Sequence, residues 1–120
     1  MAEAVVSQNS EIVSNETGVL KQAGTPAVGL SGLDGGLIEA VKRPKVNGVD
    51  YGFVGDITQV NTQVLSSLVR GGFIPVVCSL GATKDGQVLN INADTIAENI
   101  AVKLEAKKLF LGKSRLLQHP

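Results

Sequence analysis

Phe73-Ile74-Pro75-Val76-Val77-Cys78-Ser79 is a continuous apolar, largely β-branched run. Such a run reads as a strand covered on both faces, because a half-exposed strand would alternate with polar residues. The segment before it, Asn61–Arg70, carries Val64, Leu65, Leu68 and Val69 on one face, with Val60 just ahead, and ends at Gly71-Gly72, so it reads as a helix. After it, Lys84-Asp85-Gly86-Gln87 reads as a turn. An extended run over Gln87–Asn90 then leads into an amphipathic helix over about Asp94–Ala106, with Ile96, Ala97, Ile100, Ala101 and Leu104 on its apolar face. Lys108–Leu111 begins another apolar strand.

Working upstream, Glu11–Ala23 reads as a weaker helix stopped by Gly24. Ala27–Leu30 is a short buried strand, and Leu37–Val41 and Gly52–Ile57 read as two more. Lys42–Asp50 between them is polar, with Pro44, Asn47 and Gly48, and reads as a hairpin-like excursion. Strands alternating with helices give the α/β class, with a parallel or mixed sheet between helices.

The 120 residues suffice for one domain or part of one, and the 43% hydrophobic content is enough for a core. Eleven basic residues balance eleven acidic ones, which argues against a nucleic-acid surface and its basic stripe. No apolar stretch approaches the ~18 residues of a membrane span, and Met1–Asn9 lacks the charged and apolar regions of a secretory signal. A cytoplasmic protein without membrane or nucleic-acid partners is expected. The single Cys78 cannot form an internal disulfide and reads as a buried small hydrophobe. No metal-ligand cluster is visible. Asn15-Glu16-Thr17 matches a glycosylation sequon, which has no meaning without secretion.

Asn90-Ile91-Asn92-Ala93-Asp94 concentrates two amides and a carboxylate at a helix N-terminus. Free backbone N–H groups and the helix dipole suit anions there. Equally, Asn92 or Asp94 could simply cap the helix. Ser31-Gly32-Leu33-Asp34-Gly35-Gly36 could let backbone approach a ligand, or could only turn the chain between strands; the turn is the preferred reading. Both stretches fall at carboxyl ends of strands, where open α/β sheets bind ligands. Gly112-Lys113-Ser114 lacks the earlier glycine of a P-loop, since Lys107 occupies that position, and reads as a solvated tail.

Four segments in order, Ala27–Gly36, Asp50–Ile57, Gly72–Val77 and Gly86–Ala97, closely resemble the middle of the N-acetyl-L-glutamate kinases of the amino-acid kinase family. The resemblance covers about Asn9 to Leu111. It implies a three-layer αβα sandwich around a mostly parallel sheet, incomplete in this chain, with 1–120 a partial kinase domain on the substrate side and 112–120 a divergent tail. It implies ATP-dependent phosphorylation of the side-chain carboxylate of N-acetylglutamate in arginine biosynthesis, with Mg2+ arriving on ATP. It implies that Asn90 contacts N-acetylglutamate and that Asp94 orients the catalytic lysines, with the full-length family forming homo-oligomers. The Lys42–Tyr51 excursion corresponds to a hairpin near the substrate.

The family's phosphate loop, catalytic lysines, substrate-gripping arginine and nucleotide half have no counterpart here. A truncated or frame-shifted product, or a deliberately cut segment, is therefore expected, prone to self-association through open strand edges and giving no detectable acyl phosphate alone. The alternative is a non-catalytic α/β fragment or a regulatory, interaction remnant.

Overall fold

The computed structural model describes residues 3–7, 10–104 and 108–112. Its elements are β1 (Glu3–Ser7), α1 (Ser10–Gln22), β2 (Ala27–Ser31), β3 (Ile38–Lys42), β4 (Gly55–Val60), α2 (Gln63–Arg70), β5 (Ile74–Cys78), β6 (Leu80–Ala82), β7 (Val88–Asn90), α3 (Ala93–Leu104) and β8 (Lys108–Gly112). The tail beyond Gly112, Lys107, and the Leu104 side chain lie outside the described set.

β5 occupies the interior place that its composition demands. The first sheet has the order β2-β5-β1-β8, and all three pairings are parallel. Val77 faces one core with Leu65 of α2 and Ile96 and Ile100 of α3, while Val76 and Cys78 face another that Leu20 of α1 joins. Helices thus cover both faces of a parallel sheet, the layered arrangement expected. Pro75 fits inside an interior strand because pairing with β1 begins one residue later, at Val5↔Val76. Its missing N–H therefore removes no bond from that ladder.

Helices α1 and α2 stop in the same way. Gly24 and Gly72 have φ of 81° and 88°, and the following amides reach back, Thr25 N–H to Leu20 O at 2.9 Å and Phe73 N–H to Leu68 O at 2.9 Å. This left-handed cap satisfies carbonyls that the helix end would leave bare, and glycine adopts it without a Cβ penalty.

Three features differ from the sequence expectation. β1 is an additional strand, inserted between β5 and β8. The apolar run after β5 does not stay in the first sheet: at Ser79 the chain crosses into a second, mixed sheet of order β4-β3-β6-β7, beginning with β6. The strand expected at Gly52–Ile57 is displaced to Gly55–Val60. An Asx turn explains the shift, since Asp50 Oδ1 accepts the Gly52 N–H at 2.8 Å and holds that stretch out of extended geometry. The excursion is a true hairpin: β3 and β4 pair antiparallel, and Asn47-Gly48, both at positive φ, turn its tip between Val46 and Val49.

Candidate functional site

Residues from three separate segments meet at the carboxyl end of β5. Gly32 N–H donates to Cys78 O at 3.2 Å, and Ile91 N–H donates to Ser79 O at 3.1 Å. The Ser31–Gly36 loop and the Asn90–Asp94 motif are therefore tied to adjacent residues of one strand end, as the rule for ligand sites in α/β sheets anticipates.

Inside the motif the structure separates capping from the other polar groups. Asn92 is the cap: its Oδ1 accepts the Thr95 N–H at 3.0 Å, and its carbonyl accepts the Ile96 N–H at 3.1 Å. Asp94, in the first turn of α3, is exposed and makes no side-chain hydrogen bond or ion pair among the described residues. Its charge is favourable at the positive end of the helix dipole. Asn90 ends β7 with an exposed side chain. Its main chain is fixed, since its N–H donates to Phe53 O at 2.8 Å and Val54 bridges it in parallel register.

Sequence reading had no signal for that last contact. Phe53 and Asn90 lie in distant segments, and the second sheet brings them together by curling until the chain before β4 reaches the end of β7. The hairpin is thereby seated beside Asn90. Its base is held by Arg43, whose guanidinium makes a forked contact with Asp56 (Nη2 to Oδ1, 2.8 Å) and lies 5.4 Å from the Tyr51 ring centroid. Lys42 Nζ lies 5.1 Å from the Phe53 ring centroid. The hydrogen bond and charge of Arg43 lower the Asp56 pKa, and Asp56 raises that of Arg43 in turn.

The Gly-rich loop turns and packs. Ser31 N–H donates to Asp34 Oδ2 at 2.7 Å, and Leu33 N–H to Ser31 Oγ at 3.1 Å. Gly32 is buried where the β6 backbone crosses: a Cβ there would stand 2.9 Å from the Leu80 carbonyl carbon. The close approach is to the chain itself. Cys78 is buried, and desolvation pushes its thiol pKa up, partly offset by a backbone hydrogen bond from Ser79. A thiol so placed is a poor nucleophile.

Lys103 is on α3 nine residues past Asp94, about 13 Å along the axis, too far for a direct ion pair. It lines an open cavity of about 440 Å³ between α3 and β4 with Thr95, Asn99 and Thr58. Neither Asn90 nor Asp94 lines that cavity. Among the described residues no group of three or more His, Cys, Asp or Glu is arranged to hold a metal ion, and no helix is long and apolar enough to cross a membrane.

Residues 3–114 match the amino acid kinase family. The chain is 50% identical over 101 residues to the acetylglutamate kinase of Myxococcus xanthus (strain DK1622), covering 76% of this chain and 33% of that protein. It is 50% identical over 103 residues to that of Prochlorococcus marinus (strain MIT 9313), covering 86% of this chain and 31% of the relative. The chain thus spans about a third of the length of these curated relatives. Among solved structures, smu.665 from Streptococcus mutans UA159 superposes with a TM-score of 0.67 at 36% identity, covering 80% of this chain and 38% of the other. N-acetylglutamate synthase from Neisseria gonorrhoeae, complexed with coenzyme A and L-arginine, gives 0.60 at 26% identity over 72% of this chain and 19% of that one. The chain belongs to the amino acid kinase family.

Proposed function

We propose that this chain is the substrate-side part of an acetylglutamate kinase, which transfers the γ-phosphoryl group of ATP to the side-chain carboxylate of N-acetylglutamate. The observation that carries the reading is the division of labour in Asn90–Asp94. Asn92 serves the helix, which leaves Asn90 and Asp94 exposed and free of side-chain partners among the described residues. The names and identities of the curated relatives support the substrate.

In this reading Asn90 presents both halves of an amide to substrate, Nδ2 as donor and Oδ1 as acceptor, matching the acetamido and carboxylate groups of N-acetylglutamate. The ionised side-chain carboxylate attacks the γ-phosphorus; one P–O bond forms, the bond to the ADP oxygen breaks, and no proton needs removal. Asp94 is therefore a positioning group for cations, which offset the repulsion between two anions. Lys103, about 13 Å along the helix, is too distant to be one of the cations it aims. Mg2+ would enter with ATP as its counter-ion. A cytoplasmic homo-oligomer belongs to the same proposal.

Calorimetric titration of the chain with N-acetylglutamate tests the reading. Saturable binding that weakens about tenfold in Asn90→Ala, the loss of roughly 1.4 kcal/mol of polar contact, supports it. Equal binding of Asn90→Ala, or no binding at millimolar ligand, contradicts it.

A further inference from the structure

We propose that Gly55 is a positioning residue for Asn90, and that it couples the β3–β4 hairpin to the substrate-side amide; the functional part of this rests on the reading of Asn90 given above. Gly55 is buried at the start of β4, paired with Lys42 of β3. A Cβ added there would meet Leu89 Cδ1 at 2.8 Å, Ile91 Cδ1 at 3.0 Å and Leu89 Cβ at 3.0 Å. Leu89 and Ile91 are the two residues that flank Asn90, and both are buried. A δ-methyl group can rotate away, but the Leu89 Cβ is fixed to its strand. Relief therefore requires β7 and β4 to part at Asn90.

The same place carries the seam that closes the second sheet. Arg43 N–H donates to Val54 O at 2.8 Å, and Asn90 N–H donates to Phe53 O at 2.8 Å. Residues 53–55 are thus stitched between the end of β3 and the end of β7. The absence of a side chain at Gly55 permits that approach. Arg43–Asp56 and the two cation–ring contacts hold the hairpin to the same limb. Hairpin and Asn90 accordingly form one mechanical unit, so that a change in the hairpin reaches the amide through the main chain.

Adjacent amides supply an internal reference. The Asn90 N–H bonds the hairpin limb, whereas the Ile91 N–H bonds Ser79 of the β5–β6 crossing. Hydrogen exchange of the 120-residue chain, read by NMR, separates a local from a global effect. In Gly55→Ala the Asn90 amide is expected to exchange at least tenfold faster relative to Ile91, with N-acetylglutamate affinity falling about tenfold. Leu65→Ala, a core deletion under α2, is expected to leave the exchange ratio and the affinity within twofold. If Gly55→Ala does not fold, Arg43→Ala gives the same readout by loosening the limb from the other side. An unchanged Asn90-to-Ile91 ratio in a folded Gly55→Ala, or in Arg43→Ala should that be the variant measured, overturns the proposal. Absence of N-acetylglutamate binding in the unsubstituted chain overturns the substrate reading instead, and the exchange ratio still decides the positioning claim.

Discussion

Gly32→Ala is the substitution whose cost the structure determines most directly. Gly32 is buried at the end of β2, beside the crossing from the first sheet to the second. An added Cβ would lie 2.7 Å from Ile38 Cγ1 and 2.9 Å from the Leu80 carbonyl carbon, and closer still to the carbonyl oxygen. Carbon atoms rest at about 3.5–4.0 Å, so loop and crossing must part by about 1 Å. Two hydrogen bonds run through this residue, Gly32 N–H to Cys78 O at 3.2 Å and Ile38 N–H to Gly32 O at 2.7 Å. Losing both costs about 2 kcal/mol, and forcing a methyl into packed backbone adds about 1–3 kcal/mol. A total near 3–5 kcal/mol lowers a urea midpoint by about 2 M if the slope is near 2 kcal/mol per M. Far-UV circular dichroism during urea unfolding reads the midpoint. Gly36→Ala is the control: its φ is 63° but a Cβ there meets nothing within 4 Å, so only the left-handed backbone penalty of about 1–2 kcal/mol applies. A Gly32→Ala midpoint shift below about 0.5 M, or one equal to that of Gly36→Ala, would refute the steric argument and with it the tight joint beneath the site.

Other consequences can be measured with the same preparation. Asn92→Ala removes the α3 cap and should lower stability by about 1 kcal/mol while leaving N-acetylglutamate affinity within about twofold, the reverse of the pattern expected for Asn90→Ala; calorimetry and urea unfolding together check both. Asp56, whose pKa Arg43 lowers, stabilises the folded hairpin at pH values above its unfolded pKa, and that contribution fades as the pH falls below about 4. Tyr51 and Phe53 resonances should shift there in the native chain and not in Asp56→Asn. Cys78 has a raised pKa, so its contribution is intact below the unfolded thiol value and is lost as the pH climbs through about 9 and beyond. In the native chain at pH 8 it should react with a thiol probe far more slowly than in urea; equal rates would show that the strand end is open.

The sequence already contained what depends on neighbours in the chain. The β5 run announced a strand covered on both faces, and the glycines after α1 and α2 marked helix ends, because these signals are local. Asn90, Asn92 and Asp94 were legible as a polar group at a helix start. Which of them capped the helix was not, since both Asn and Asp are good caps and only the Asn92–Thr95 geometry distinguishes them. β1 was missed because five residues with only a short apolar centre fall below any periodicity test. The crossing at Ser79 was missed because the apolar run continues through Leu80-Gly81-Ala82 with nothing local to show a change of sheet. Closure of the second sheet at Phe53 and Asn90 is a long-range pairing, and the Asx turn at Asp50, which moves β4 three residues along, depends on a side chain folding back on its own loop.

The central claim is that Asn90 faces substrate while Asn92 serves the helix. The two side-chain amide groups are separate NMR signals in one 15N-labelled chain, so a single titration with N-acetylglutamate compares them directly. The account predicts that the Asn90 side-chain amide shifts saturably and that the Asn92 amide, held at Thr95, does not. A titration that leaves Asn90 unmoved, or that shifts Asn92 in its place, contradicts it.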